Sequence, residues 1–257
     1  MEAPRDTAAF ALDCERYSSY WEAAAARLAK LPAKPSRSAA QTETAEALKR
    51  EARAARSRFL AAHAEAVYDR LTRNRSRFIR VENLVYDAAS LVPGLVPPRE
   101  RVDAESSHAQ RDKDGVEIDQ GIFVSAMLAN ADAGRHLCHA MLLPRAEAIE
   151  RLPELEKTGR VDLGAAEVFR KGKASWVIQK NPRHLNAEDD TTLDAAEIAT
   201  DLAILDPQTA ICVLRGGPVE TGKHKGRRVL GSGINLTHLY HGMVPYIWYL
   251  KRDLGVV

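Results

Sequence analysis

The stretch Ser175-Trp-Val-Ile-Gln-Lys-Asn-Pro-Arg-His-Leu-Asn-Ala-Glu-Asp189 decides the fold. Its first five residues form a short β-branched and aromatic run, which predicts a strand. Asn181-Pro182 ends it, since proline has no N–H for a ladder. Beyond it, over residues 191–205, Leu193, Ala196, Ile198, Ala199, Leu202 and Leu205 line one side of a helix that Asp206-Pro207 closes. Thr209-Ala-Ile-Cys-Val-Leu214 predicts a buried strand, and residues 227–230 predict another. Residues 236–241 and 246–254 read as helices. A β-α-β succession of this kind predicts an α/β layer, beginning where the character changes near 160–166.

Upstream of that layer the pattern is helical. In residues 15–31, Tyr17, Tyr20, Trp21, Ala24, Leu28 and Leu31 are spaced by three and four, one face of a helix stopped by Pro32 and Pro35. Past residues 34–38, Ala45, Leu48, Ala52, Ala55, Phe59, Ala62 and Ala66 alternate strictly by three and four. That is a heptad-like seam on a helix of about 30 residues. It suits a helical hairpin or a contact between subunits; alanine makes too weak a knob for a coiled-coil transcription factor. Residues 81–89 and 145–152 predict further helices, the second bracketed by Pro144 and Pro153. Residues 91–98 hold three prolines and a glycine and predict a loop, and 115–121 predict a polar turn before the apolar 122–128. The expected class is α+β/α/β, with a helical accessory domain over 1–163 and an α/β portion over 164–257.

Composition narrows the function classes. With 45% hydrophobic and 28% charged residues, and 37 Lys+Arg against 35 Asp+Glu, the 257-residue chain is too apolar and balanced for a disordered tail. No apolar run approaches the roughly 20 residues that cross a bilayer, and residues 1–10 carry acids and a proline rather than a signal core. Cys14, Cys138 and Cys212 fit neither disulfide nor zinc spacing. The expectation is a reduced, cytoplasmic protein that binds neither membrane nor nucleic acid. Residues 1–80 hold 16 basic and 10 acidic side chains, an asymmetry that reads first as solvated arginine-bearing helix faces.

Three motifs point to chemistry and are set aside. Gly217-Pro-Val-Glu-Thr-Gly-Lys-His224 has the spacing of a phosphate-binding loop. It has His for the Mg²⁺-binding hydroxyl, and a predicted strand where a helix N-terminus must follow. His136 and His139, and again His238 and His241, stand at i, i+3, but a metal needs a third and fourth ligand. No serine has a G-x-S-x-G setting.

One constellation remains. Gly231 and Gly233, in Val229-Leu-Gly-Ser-Gly-Ile-Asn-Leu236, let backbone approach a ligand, and the helix from about Asn235 presents unsatisfied N–H groups. Such donors suit a developing enolate or thioester oxyanion. With Asn181-Pro-Arg-His-Leu-Asn-Ala187 after the first strand, this order resembles the start of the crotonase (enoyl-CoA hydratase/isomerase) superfamily. Residues 183–189, 202–207, 226–229, 232–236 and 251–255 are similar to its cofactor-independent arylacetyl-CoA dioxygenase branch. Residues 115–121 and 134–144 resemble that branch's helical extra domain.

The resemblance implies the first part of a crotonase-like ββα layer. It implies an oxyanion donor at the backbone N–H of Ile234, a pocket carboxylate at Glu188 and a pocket arginine at Arg252. It also places Arg183, the segment Thr221, Gly222, Lys223 and His224, and the segment Ser232, Gly233, Ile234, Asn235, Leu236 and Thr237 along the acyl group and CoA. Thr-Gly-Lys-His stands where the family more usually has His-Pro-Arg-Tyr, and Lys223 and His224 still offer cations to CoA phosphates. The implied reaction oxidises an arylacetyl-CoA of the 3,5-dihydroxyphenyl kind with O₂ to an arylglyoxylate and free CoA, with no cofactor and no metal. The alternatives are another crotonase-type hydratase or isomerase, or a non-catalytic helical interaction protein that retains half of such a layer. A second oxyanion donor and further strands are expected outside the sequence, so the chain reads as the N-terminal portion of a longer enzyme or half of a split pair with a complementary C-terminal chain. A homo-oligomer, trimer or hexamer, is the expected assembly.

Overall fold

A computed structural model describes residues 2–256. They divide into two compact units, one formed by residues up to 142 together with 245–254, the other by 143–244 with the extreme C-terminus.

The first unit is helical: α1 (Phe10–Leu28), α2 (Ala39–Thr72), α3 (Val81–Leu91), α4 (Arg99–Ser106), α5 (Ile118–Ala129) and α6 (Ala131–Leu142). Helix α1 begins five residues before the apolar periodicity does. Asp13 anchors its first turn, accepting hydrogen bonds from the Thr7 N–H and hydroxyl and lying 2.8 Å from His63 Nε2. Ser38 starts α2 with a capping box, its Oγ accepting from the Gln41 N–H while its own N–H donates to Gln41 Oε1. Tyr17, Trp21 and Phe59 form an aromatic cluster in the core, with the Trp21 and Phe59 rings edge to face at 5.7 Å.

The heptad seam holds only for the first half of α2. Ala45, Leu48, Ala52, Ala55 and Phe59 are buried, but Ala62 is exposed, and the buried stripe continues through His63, Val67 and Leu71. A straight helix has 3.6 residues per turn, so a strict 3.5 repeat drifts by about 20° per heptad and leaves the core after two. The helix follows the core, and the coiled-coil register lapses. The turn expected over 115–121 is shorter than its sequence suggests, since α5 starts at Ile118; Glu105 holds the turn by accepting from the N–H groups of Asp114, Gly115 and Val116.

The second unit contains α7 (Ala146–Thr158), β1 (Arg160–Asp162), β2 (Ala166–Lys171), β3 (Ala174–Gln179), α8 (Leu193–Leu205), β4 (Ile211–Gly216) and α9 (Leu236–Tyr240). The four strands lie in the order β1-β2-β3-β4. The first two pairings are antiparallel and β3-β4 is parallel, with α8 as the crossover. Val168, Val177 and Val161 bury on one face against Ala148 and Leu155 of α7 and Ile198, Ala199 and Leu202 of α8. Chain order and pairing make this a mixed α/β unit.

Four expectations change here. Helix α7 runs through Pro153 rather than ending before it, because Leu155 beyond the proline is buried and Gly159 closes the helix at φ +70°. The boundary expected at 163/164 therefore falls inside the second unit, between β1 and β2. Strand β4 is not a buried strand: Ile211 and Leu214, which point to opposite faces, are both exposed, because β4 is the edge of the sheet, with β3 as its one neighbour. Residues 227–230 form no strand, only an isolated bridge between Arg228 and Pro218. They are held by a side chain instead, Asn186 Nδ2 donating to both Val229 O and Gly217 O at 2.8 Å. That approach is so close that a Cβ on Gly216 would lie 1.5 Å from Val229 O.

The last helix, α10 (Tyr246–Gly255), returns to the first unit. Ile247 joins that unit's core, and the Tyr246 N–H donates to Glu117 Oε2 at 2.9 Å.

Candidate active site

Of the residues that the sequence singles out, Arg183, Glu188 and the segment 232–237 lie on the loop after β3 and on the glycine-rich segment that leads into α9. Asn181 and Asn186 fold the loop on itself: Asn186 Oδ1 accepts from the Asn181 N–H, and Asn181 Nδ2 donates to Ala187 O. Leu185 and Asn186 take left-handed backbone, at φ +54° and +56°, which turns the chain back toward the sheet end. The next residue but one, Glu188, then pairs in parallel with Ile234. Its N–H donates to Gly233 O (2.9 Å), and its carbonyl accepts from the Asn235 N–H (2.8 Å).

A parallel bridge of this kind uses the neighbours of Ile234 and leaves Ile234's own N–H pointing away from the pairing. That N–H has no hydrogen-bond partner among the described residues, on a half-buried residue. The helix N-terminus was the expected source of free donors, and it differs from that expectation. Asn235 Oδ1 caps α9, accepting from the N–H groups of Thr237 and His238 at 3.1 and 3.3 Å. The free donor sits one residue upstream of the cap.

What holds this geometry is Asp189, which sequence reading passed over as a neighbour of Glu188. Its carboxylate is buried and accepts four hydrogen bonds: from Asn181 Nδ2 (2.9 Å), Asn235 Nδ2 (2.8 Å), the Thr191 N–H (3.0 Å) and the Thr191 hydroxyl (2.6 Å). It thus ties the post-β3 loop, the start of α8 and the glycine-rich segment at one point. Burial opposes its ionisation, but the donors from Thr191, Asn235 and Asn181 outweigh it and hold the Asp189 pKa below the usual carboxylate range.

Beside it, His238 Nδ1 lies 2.7 Å from Asp190 Oδ1 and 3.6 Å from Asp189 Oδ2, and its ring stands edge-on to His184 at 5.3 Å. Asp189, Asp190 and His238 have the donor types and spacing to hold a cation. The oxygens of Asp189 are already occupied by hydrogen bonds, so a cation there would have to displace them. His136 is spent structurally, one ring nitrogen 2.8 Å from the Tyr68 hydroxyl and the other 2.9 Å from Arg75 O.

The remaining expected residues divide by position. Ser232 is attached to the loop, its hydroxyl donating to His184 O at 3.1 Å. Arg183 is exposed on the single turn Pro182–His184. Leu236 and Thr237 are exposed at the start of α9. Thr221, Gly222 and Lys223 are exposed and His224 half-buried in the turn Gly222–His224, which leads to neither helix nor strand. Arg252 is not among this group: it belongs to the first unit, on α10, where its Nη1 pairs with Asp253 Oδ1.

Fold and site together define a helical unit joined to a mixed α/β unit whose glycine-rich segment presents an unpaired backbone N–H across a bridge from a glutamate. No protein-family model matches the chain. It is 44% identical over 228 residues to the (3,5-dihydroxyphenyl)acetyl-CoA 1,2-dioxygenase of Amycolatopsis orientalis, a match covering 88% of this chain and 52% of that enzyme. The likeness read from scattered motifs thus extends over most of the chain, and the chain spans about half the length of the curated relative. Among the described residues, no helix is long and apolar enough to cross a membrane.

Proposed function

We propose that this chain forms the part of a cofactor-independent dioxygenase that receives an arylacetyl-CoA thioester, of the 3,5-dihydroxyphenylacetyl kind, at the Ile234 N–H. The observation that carries the reading is that donor: an unpaired N–H, rigidly placed by the Glu188 bridge and the Asp189 clamp, in a chain 44% identical to a dioxygenase named for such a substrate. A thioester oxygen bound there gains negative charge when the adjacent carbon loses a proton, and a fixed backbone donor favours that enolate over the neutral thioester. An aryl ring on the same carbon spreads the charge further.

The electrons for O₂ reduction then come from the substrate. The enolate gives one electron to O₂, the two radicals join to form a C–O bond, and the distal peroxide oxygen attacks the thioester carbonyl. CoA thiolate leaves, the O–O bond breaks, and the α-carbon's remaining hydrogen departs as a proton. One arylacetyl-CoA and one O₂ give one arylglyoxylate and one CoA, so the balance calls for no metal or flavin. In this reading Glu188 contributes the carboxylate at the substrate, the segments 221–224 and 232–237 line the acyl group and CoA, and Lys223 and His224 meet CoA phosphates. For Arg183 and Arg252 the assignment rests on the resemblance alone. The assembly is a trimer or hexamer, which sedimentation measures.

The test is oxygen uptake with 3,5-dihydroxyphenylacetyl-CoA in chelator-treated buffer. It is run on this chain and on the chain joined to the part of the relative outside the match. The expected result is one O₂ consumed per CoA thiol released, with Glu188→Gln slower by about 100-fold or more. Turnover of the thioester without oxygen uptake would favour a hydratase or isomerase. Neither turnover nor thioester binding in either protein would leave the non-catalytic reading.

A further inference from the structure

We propose that the pocket of the first unit between α1, α2 and the proline-rich segment 93–98 is a binding site for a small aromatic carboxylate. The pocket encloses about 430 Å³, within the usual range for small-molecule sites of roughly 300–1,000 Å³. Its walls are mainly apolar and flat: Trp21, Ala25 and Leu28 from α1, Leu48 and Ala52 from α2, and the prolines 93, 97 and 98. Gly94, at φ +83°, packs directly on Trp21, where a Cβ would come within 2.8 Å of the tryptophan Cβ, so this wall is fixed.

The charged part of the lining is cationic on balance, with Lys49, Arg53, Arg56 and Arg101 against the carboxylates of Glu22 and Asp119. Arg53 and Arg56 share one carboxylate, Asp119, at 3.3 and 3.2 Å. Arg56 is only 12% exposed, lies 5.4 Å from the Trp21 ring, and spends its Nε and Nη2 on the carbonyls of Gly94 and Leu95. Arg101 stands at the same pocket with no ion-pair partner among the described residues. Burial lowers the Arg56 pKa; Asp119 opposes this, and the like charges of Arg53 and Arg101 add to it. Arg53 and Arg56 on one largely buried carboxylate leave a net positive charge, with Arg101 at the exposed mouth, that an anion would offset.

A second observation points the same way. Ser18 lines this pocket, and its Oγ is buried with no hydrogen-bond partner. A ligand with an apolar ring against Trp21 and the prolines, and an anionic end among Arg53, Arg56 and Arg101, fits this lining. The volume admits a ring with a one- or two-carbon acid arm. The basic excess of residues 1–80, which the Glu188–Ile234 site does not use, thereby gains a role in part.

Titration calorimetry with phenylacetate as the probe tests this, with phenylacetamide as the neutral control. Phenylacetate is expected to bind saturably with a Kd on the order of 1 mM. Phenylacetamide is expected to bind at least about tenfold more weakly, as is phenylacetate to Arg101→Glu. Ala25→Phe, which fills the pocket, should abolish binding while leaving the circular dichroism spectrum unchanged. Equal binding of acid and amide, undiminished binding to Ala25→Phe, or no saturable binding overturns the proposal. Should Ala25→Phe not fold, Arg101→Glu at its exposed position carries the decision alone: unchanged phenylacetate affinity there overturns it.

Discussion

Replacing Asp189 with asparagine tests whether one buried carboxylate sets the position of the Ile234 N–H. The carboxylate accepts four hydrogen bonds from three segments. An amide of the same shape keeps one oxygen and turns an NH₂ group toward donors, so at least one of those donors loses its acceptor. A buried hydrogen bond to a charged group contributes about 1.5–3 kcal/mol, and the substitution should cost about 2–3 kcal/mol. For a unit of about 100 residues, with a urea slope near 1 kcal/mol/M, the unfolding midpoint should fall by about 2 M. Trp176 is the second unit's own tryptophan, so the NMR signal of fluorotryptophan at that position reports the unit alone. The pH dependence supplies a signature that simple misfit lacks. Asp189 has its folded-state pKa below the unfolded value, so its stabilisation is complete above about pH 4 and is lost as pH falls through the folded pKa. Asparagine does not titrate. The gap between the two proteins should therefore be widest at neutral pH and close on acidification. Amide exchange at Ile234 and Asn235 should speed up in the variant at neutral pH. A midpoint shift under about 0.5 M, or a gap independent of pH, would refute the clamp.

Two further expectations concern a close backbone approach and two buried tyrosines. Gly216→Ala would place its Cβ 1.5 Å from Val229 O, so either β4 or the segment 227–230 must move; a stability loss of about 3 kcal/mol or more is expected, and an unchanged melting temperature would contradict the close approach. In the first unit, Tyr17 and Tyr68 have pKa values pushed up to about 12, chiefly by burial. Ultraviolet titration should show these two of the seven tyrosines ionising late. The stabilisation they represent, present below the ordinary tyrosine pKa near 10, should disappear as pH rises through 12; seven tyrosines titrating together near pH 10 would contradict it.

The elements whose signal is local were legible in the sequence. Residues 175–179 declare their strand by β-branched and aromatic composition and residues 191–205 their helix by periodicity, and the structure places them at Ala174–Gln179 and Leu193–Leu205. Signals that depend on a partner misled. Residues 209–214 read as buried because their composition is that of a parallel strand, yet composition cannot say whether a strand will lie inside a sheet or at its edge, and here it is the edge. The alternation of Ala45 to Ala66 read as a heptad because alanine is apolar at every step, and only the 3.6-residue turn decided that Ala62 would face out. Of the candidate site, Glu188 and Ile234 were visible as motif positions, but not the reason they meet. That reason is spread over Asn181, Asp189, Thr191 and Asn235, in which the last two partners of the buried carboxylate are 2 and 46 residues from it. Each alone is an unremarkable polar residue in a loop. A carboxylate that closes three loops at once leaves no periodic trace, because its partners are set by where the backbone ends up, and the free N–H beside it is legible only as the one donor that the bridge geometry leaves unspent.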